Sequence, residues 1–202
     1  MRYQKSWHHG KLVRFMKALV VYGTRWGGTV GVAGKIGDSL REAGYTVDVV
    51  DAKKYSPTVA PYDLVVVGSG VRADKWTKGT LKFLEKNAVA LKSKKTALFV
   101  SCMMADREEE EARERAKNAY LVKIAENYGL NPISYGFFGG YTDFSKSHGL
   151  LVDIIVRVNR KKLLKNGLDI RKILDTRDWT KIGAWAHELA SAASNKQQTK
   201  AV

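Results

Sequence analysis

Short apolar runs alternate along this chain with longer segments whose apolar residues repeat at helical spacing. Ala18-Leu19-Val20-Val21-Tyr22 is the first run, rich in β-branched residues, as expected of a strand buried on both faces. Further strands are predicted at Thr46 to Asp51, Asp63 to Gly68, Thr96 to Cys102 and Ile133 to Phe138. Predicted helices cover Thr29 to Ala43, Thr80 to Leu91 and Asp106 to Tyr128, and a last one runs from about Asp178 to Ala193. Val32, Ala33, Ile36 and Leu40 make the apolar face of the first helix, and Ile182, Trp185, Ala186 and Leu189 that of the last. Gly44 and Gly129 are stop signals. Gly31, Gly34 and Gly37 each cost roughly 1 kcal/mol of helix propensity against Ala. Their recurrence every three residues predicts a helix packed very close to the sheet. Only about ten residues join the second strand to the third, Pro57 and Pro61 among them, so that crossover is expected to lack a full helix. Strands alternating with helices predict a doubly wound parallel sheet.

Three stretches fall outside this alternation. Residues 1–15 are polar, basic and aperiodic, and read as an added, upstream or disordered arm before a domain spanning 16–193. The tail from Ser194 is polar and expected to be disordered. The segment from about Tyr141 to Asp175 is too long for a simple connection and reads as an insertion before the last helix. Within it Leu151, Ile154, Ile155 and Val158 share one helical face, and Arg157, Arg160, Lys161, Lys162 and Lys165 follow. Such a basic amphipathic helix suits a membrane surface or a docking partner. A helix packed on the domain with solvated lysines, or a strand at Ile154 to Val158, fits the same residues.

Composition sharpens the picture in two ways. At 202 residues and 45% hydrophobic the chain is long enough for one sizeable core. Its formal net charge of +15 favours an anionic partner, whether membrane surface, nucleic acid or acidic protein. No nucleic-acid-binding motif accompanies the charge, so specific nucleic acid is not expected. No apolar run reaches the length of a membrane span, and no secretory signal pattern opens the chain. The single cysteine, Cys102, excludes an intramolecular disulfide framework, and with it a cytoplasmic protein is expected. His8, His9, His148 and His187 show no metal-ligand spacing.

The chemistry centres on the loop that follows the first strand: Thr24-Arg25-Trp26-Gly27-Gly28-Thr29. Strand, glycine- and hydroxyl-bearing loop, then helix is how α/β proteins hold a phosphate. Thr29 stands where a P-loop requires Lys, and no G-x-G-x-x-G opens the helix. What remains is T-x-x-G-x-T. An ordinary βα turn without a ligand has the same outline. The loops after the third and fourth strands lie at the sheet's carboxyl edge, where doubly wound sheets bind ligands. They bring Ser69, Gly70, Val71, Arg72 and Trp76, and Ser101, Cys102, Met103 and Met104. Cys102 reads better as a packed thiol than as a nucleophile, because no histidine lies nearby in sequence.

T-x-x-G-x-T resembles the phosphate loop of the flavodoxin family, which wraps the FMN phosphate with hydroxyls and backbone amides. The set V-V-Y-G-T-R-W-G-G-T, then V-V-V-G-S-G-V-R-A-D-K-W, a long basic insert and D-T-R-D-W resembles, more narrowly, the flavodoxin-domain group that includes menaquinone-dependent protoporphyrinogen oxidase. The resemblance covers about Met16 to Ala193. It implies a flavodoxin-like sheet of five parallel strands in the order 2-1-3-4-5, and FMN as cofactor. It implies a phosphate loop at Thr24, Arg25, Trp26, Gly27, Gly28 and Thr29. The loop from Ser69 to Trp76 should face the isoalloxazine, with Trp76 as the stacking aromatic and Arg72 near the reduced flavin or a substrate carboxylate. Trp76 also fits as a tryptophan half-buried beneath the loop, and Arg72 as a solvated cation.

Three functions follow. One is an FMN protein that exchanges electrons with a redox partner protein or a small substrate. Another is a protoporphyrinogen-oxidising or quinone-reducing enzyme, peripheral at the inner face of the membrane through the basic insert. The third is a cofactor-free basic binding module. Typical flavodoxins are acidic, so the basic charge sets this chain apart from simple carriers.

Overall fold

The computed structural model describes residues 5–8, 11–143, 158 and 173–195. Its centre is a five-stranded parallel sheet built from β3 (Lys17–Gly23), β4 (Thr46–Asp51), β5 (Leu64–Gly70), β6 (Lys95–Ser101) and β7 (Ser134–Phe138). The spatial order is β4-β3-β5-β6-β7, which is 2-1-3-4-5 for these strands, as expected. Because side chains alternate along a strand, each central strand supplies both faces. Ala18, Val20, Leu64, Val66, Ala97 and Phe99 point to one side; there they meet Val32, Ile36 and Leu40 of α1 (Gly28–Glu42). Ile182, Trp185 and Leu189 of the last helix, α5 (Trp179–Asn195), complete that layer. Leu19, Val21, Val65, Val67, Leu98 and Val100 point the other way, onto Phe83 and Leu84 of α2 (Lys78–Leu91) and onto Leu121. Each fully buried Val, Leu, Ile or Phe among them contributes about 1.5–3 kcal/mol against exposure.

Differences from the expected elements have local causes. The glycines of α1 do not all face the sheet. A Cβ on Gly37 would sit 2.6 Å from Val49 Cγ2, so that residue does let the helix approach β4. A Cβ on Gly31 would instead meet Trp179 at 3.0 Å, and Gly34 faces open space. The connection between β4 and β5 contains no helix, as its prolines require.

The long helix expected from Asp106 to Tyr128 runs from Glu110 to Asn127, with a π-helical turn (Asn118–Val122) between α3 (Glu110–Lys117) and α4 (Lys123–Asn127). Residues Met103–Asp106 form a separate 3-10 turn. Tyr120 and Leu121 of the π turn are both buried, and the carbonyl of Tyr120 accepts a hydrogen bond from outside the helix. π turns of this kind accompany functional sites.

The arm before the domain carries two strands, β1 (Lys5–His8) and β2 (Lys11–Arg14), paired antiparallel. The insertion leaves and returns through a second ribbon, β8 (Tyr141–Asp143) against β9 (Ile173–Asp175). The rest of the insertion, including its basic cluster and the stripe Leu151, Ile154 and Ile155, lies outside the described residues. Val158 is helical and exposed. The tail beyond Asn195 also lies outside them.

Candidate functional site

The loop after β3 turns into α1 through Gly27, whose φ of +88° is left-handed and therefore suited to glycine. The N–H of Gly27 donates to Thr24 Oγ1 at 2.9 Å, which folds the loop back on itself. Gly27 caps α1 without a side-chain hydrogen bond. The first-turn N–H groups of Gly28 and Thr29 thus remain available at the positive end of the helix dipole. Thr29 is buried, and its hydroxyl has no hydrogen-bond partner among the described residues. It points across the sheet edge toward Gly70: a Cβ there would come within 2.8 Å of Thr29 Oγ1. Glycine at 70 keeps that hydroxyl clear.

The loop after β5 is held from below. Ser69 is fully buried, accepts the Thr77 N–H at 2.9 Å and donates to the Gly70 carbonyl at 2.9 Å. Arg72 and Lys75 exchange two main-chain hydrogen bonds of 3.1 Å across a two-residue turn. Its central residues, Ala73 (φ 47°) and Asp74 (φ 58°), are both left-handed, as such a turn demands. Neither is glycine, so outside anchors hold the turn. The Tyr120 hydroxyl donates to Asp74, and burial followed by that carboxylate raises the phenol's pKa. The Trp76 indole N–H donates to the Tyr120 carbonyl at 2.8 Å.

That contact corrects the expectation for Trp76. Only 3% exposed, it packs among Leu98, Val100 and Leu121 beneath the loop and forms no part of the cleft wall. The aromatic at the cleft is Trp26, 38% exposed, with the Arg72 guanidinium 4.9 Å from its ring centroid. Ser69 is likewise spent on the loop's own hydrogen bonds rather than aimed into the cleft.

On the β6 side, Ser101 donates to the Gly139 carbonyl at 2.8 Å, and Cys102 N–H to the Phe138 carbonyl at 3.0 Å. These bonds fix a strap, Gly139-Gly140, against the sheet edge. Thr176 grips the strap from the other side, donating its N–H to the Gly140 carbonyl at 2.9 Å. A Cβ on Gly139 would lie 2.0 Å from the Thr176 carbonyl, so only glycine admits this contact. The strap delivers Tyr141 to the mouth of α1, where a Cβ on Gly28 would be 3.0 Å from Tyr141 Cβ.

Arg177 locks Tyr141 in place. Its guanidinium lies 4.7 Å from the Tyr141 centroid and 4.6 Å from that of Trp179. It pairs with Asp175 through Nε at 2.7 Å and Nη2 at 2.6 Å, and Nη1 donates to the Gly28 carbonyl at 2.9 Å. The guanidinium holds the Asp175 carboxyl below the usual carboxylate range.

These parts enclose a cleft of roughly 530 Å³, counting space open to solvent. Of the expected residues, Thr24, Arg25, Trp26, Gly28, Thr29, Gly70, Val71, Arg72, Ser101, Cys102 and Met103 line it. Gly27 shapes the loop without lining the wall, and Ser69 and Trp76 lie beneath it. Gly140, Tyr141 and Thr142 also line the cleft and were not anticipated. The Gly139-Gly140-Tyr141 run after the last strand was the signal that could have found them. The Cys102 thiol is buried, and burial pushes its pKa up to about 11. It is a packed wall group, not an activated nucleophile.

The model of the flavodoxin domain matches residues 19–162, most of the chain. The chain belongs to the flavodoxin-domain family. Among curated proteins it is 25% identical to protoporphyrinogen IX dehydrogenase [quinone] of Escherichia coli strain K12 over 179 residues, covering 87% of this chain and 95% of that one. Two of the solved structures that share the fold illustrate the likeness. A short-chain flavodoxin associated with a non-canonical PDU bacterial microcompartment aligns with a TM-score of 0.54 at 16% identity, over 89% of this chain and all of that one. A flavodoxin from the domain Archaea aligns at 0.51 and 17%, over 88% and 99%. Among the described residues no helix is long and apolar enough to cross a membrane.

Proposed function

We propose that this flavodoxin-domain protein binds FMN in the cleft and exchanges electrons with a partner or a small substrate. The observation that carries the reading is Thr29. The Thr29 side chain lines the cleft, and its hydroxyl, without a hydrogen-bond partner among the described residues, stands beside two first-turn amides at the switch between β3 and β5. Hydroxyl, amide N–H and helix dipole together fit a phosphate and need no bound cation. The glycines at 28 and 70 keep the approach open. Thr24, Arg25, Gly27, Gly28 and Thr29 would hold the phosphate. Val71, Met103 and the Trp26 and Tyr141 rings offer apolar surface for a flat ring system.

FMN, when bound, supplies one- or two-electron chemistry. The chain's own residues do the rest. Arg72 brings a positive charge to the cleft mouth, which favours anionic groups there. Arg177 holds Tyr141 against the first turn of α1. The buried Ser69 and Trp76 keep the β5 loop in one conformation. Oxidation of a tetrapyrrole with transfer to a quinone is the narrower version of the reading. It is favoured by the alignment along nearly the full length of the Escherichia coli dehydrogenase.

The decisive experiment is titration of the purified chain with FMN, followed by mass analysis of the released chromophore. Saturable binding with quenched flavin fluorescence and release of intact FMN supports the reading. A chain that takes up no FMN after reconstitution overturns it and leaves a basic binding module. Turnover of protoporphyrinogen with a quinone, dependent on FMN, selects the enzyme version over the carrier.

A further inference from the structure

Beside the flavin cleft, on the far side of Trp26, lies a second depression of about 830 Å³, again counting open space. Arg25, Lys53, Arg72 and Lys78 line it, and no carboxylate does. The four come from separate parts of the chain: the phosphate loop, the turn after β4, the β5 loop and the first residue of α2. None of them is paired with an acid among the described residues. Asp51 accepts the main-chain N–H of Lys53 at 2.9 Å, and Asp74 accepts the Tyr120 hydroxyl. Like charges gathered without counter-charges repel one another, and a bound anion relieves that repulsion. Thr24, Arg25, Trp26 and Arg72 line both depressions, so a ligand in the second lies against the first and shares Arg25 and Arg72 with it.

We propose that this depression is an oxyanion subsite, in which Arg25, Lys53, Arg72 and Lys78 hold the carboxylate or phosphate groups of a small molecule whose body reaches Trp26. Two sources share that chemistry: a substrate carrying carboxylates, and a nucleotide-type reductant carrying phosphates. The proposal rests on the flavin reading for its meaning in electron transfer. Its test does not, because Lys53 and Lys78 line only the second depression.

The probes are inorganic pyrophosphate, mesoporphyrin (a stable tetrapyrrole with two carboxylates) and mesoporphyrin dimethyl ester, which lacks the charges. Each is titrated into the chain with and without FMN, at low and high salt, and into the Lys53→Gln/Lys78→Gln double variant. The expected result is saturable binding of pyrophosphate or mesoporphyrin that weakens at least tenfold in the double variant and falls as salt rises. FMN affinity stays unchanged. The tighter of the two probes names the source. Ester binding equal to that of the free acid overturns the carboxylate arm. No binding of either anion, or binding indifferent to both the double substitution and salt, overturns the subsite. The salt titration needs only the wild-type chain, so misfolding of the variant leaves the test intact. Anion binding that weakens in the double variant of a chain that never takes up FMN would uphold the subsite and defeat the flavin reading; the reverse result separates them the other way.

Discussion

The Trp76 indole N–H donates to the main-chain carbonyl of Tyr120 at 2.8 Å, joining the β5 loop to the π turn that interrupts the helix below it. The Tyr120 hydroxyl in turn holds Asp74 at the tip of that loop. Trp76 is therefore an anchor, and its removal is a core defect. Trp76→Ala should cost about 3–5 kcal/mol of stability, the range for deleting a large buried aromatic. Trp26→Ala, at an exposed position, should stay within about 0.5 kcal/mol of wild type. FMN titration should reverse the order, with Trp26→Ala changing the bound-flavin spectrum. Urea unfolding and flavin titration on both variants check the assignment; a destabilised Trp26→Ala beside an intact Trp76→Ala would refute it.

Thr29→Val keeps the shape of the side chain and removes its hydroxyl. A hydrogen bond to a charged acceptor contributes roughly 1.5–3 kcal/mol, so FMN affinity should drop about ten- to a hundredfold. The empty chain should lose little stability, because no protein group is left unpaired. Equal FMN affinity in valine and threonine forms would remove Thr29 from the phosphate site.

Arg177 is caught between two rings while pairing with Asp175 and reaching the Gly28 carbonyl. Lysine preserves the charge but not the planar fork. Arg177→Lys should lower both stability and FMN affinity, the latter through Tyr141 rather than through direct contact. Asp175 adds a pH signature. Its folded pKa is lowered, chiefly by hydrogen bonding to Arg177, so its contribution is present above the unfolded carboxylate pKa, about 3.9. That contribution is lost as pH falls through the lower folded value. Denaturant midpoints from neutral pH down to acid should therefore decline less steeply in Asp175→Asn than in wild type. Parallel acid limbs would show that the pair adds nothing.

The sheet was legible because its signal is dense. Five apolar runs with helical segments between them leave few parallel arrangements, and the observed order is the one expected. The loop between β3 and α1 was legible for the same reason: strand, loop and helix are contiguous. What could not be read were contacts between residues distant in sequence. Trp76 fitted both a stacking ring and a tryptophan beneath the loop; what decides for burial is the apolar cluster around it and the Tyr120 carbonyl, 44 residues away and presented by a π turn. Tyr141 enters the cleft because Thr176 and Arg177, on the other side of the insertion, pin the strap that carries it. No local pattern encodes that return. The π turn within the long helix was hidden too, because the charged run from Glu108 to Lys117 has high helix propensity and says nothing about how Tyr120 and Leu121 must both be buried.

Cys102 offers a test of the cleft wall that needs no ligand. It is 7% exposed, and burial lifts its pKa from 9.0 to about 11 despite main-chain hydrogen bonds from Met104 and Ala105 that favour the thiolate. Thiols react as thiolates, so a pKa raised to about 11 reduces the reactive fraction near neutral pH about a hundredfold, before any steric barrier. In folded protein at pH 8, labelling by a small disulfide reagent should be at least that much slower than in the urea-unfolded chain. The pH profile is the sharper readout. An ordinary cysteine plateaus near pH 9, whereas Cys102 should keep gaining about tenfold per pH unit toward 11. A plateau near 9 in the folded chain would mean that the wall of the cleft is open at this point. It would also restore Cys102 as a candidate reactive group beside Met103 and Gly140.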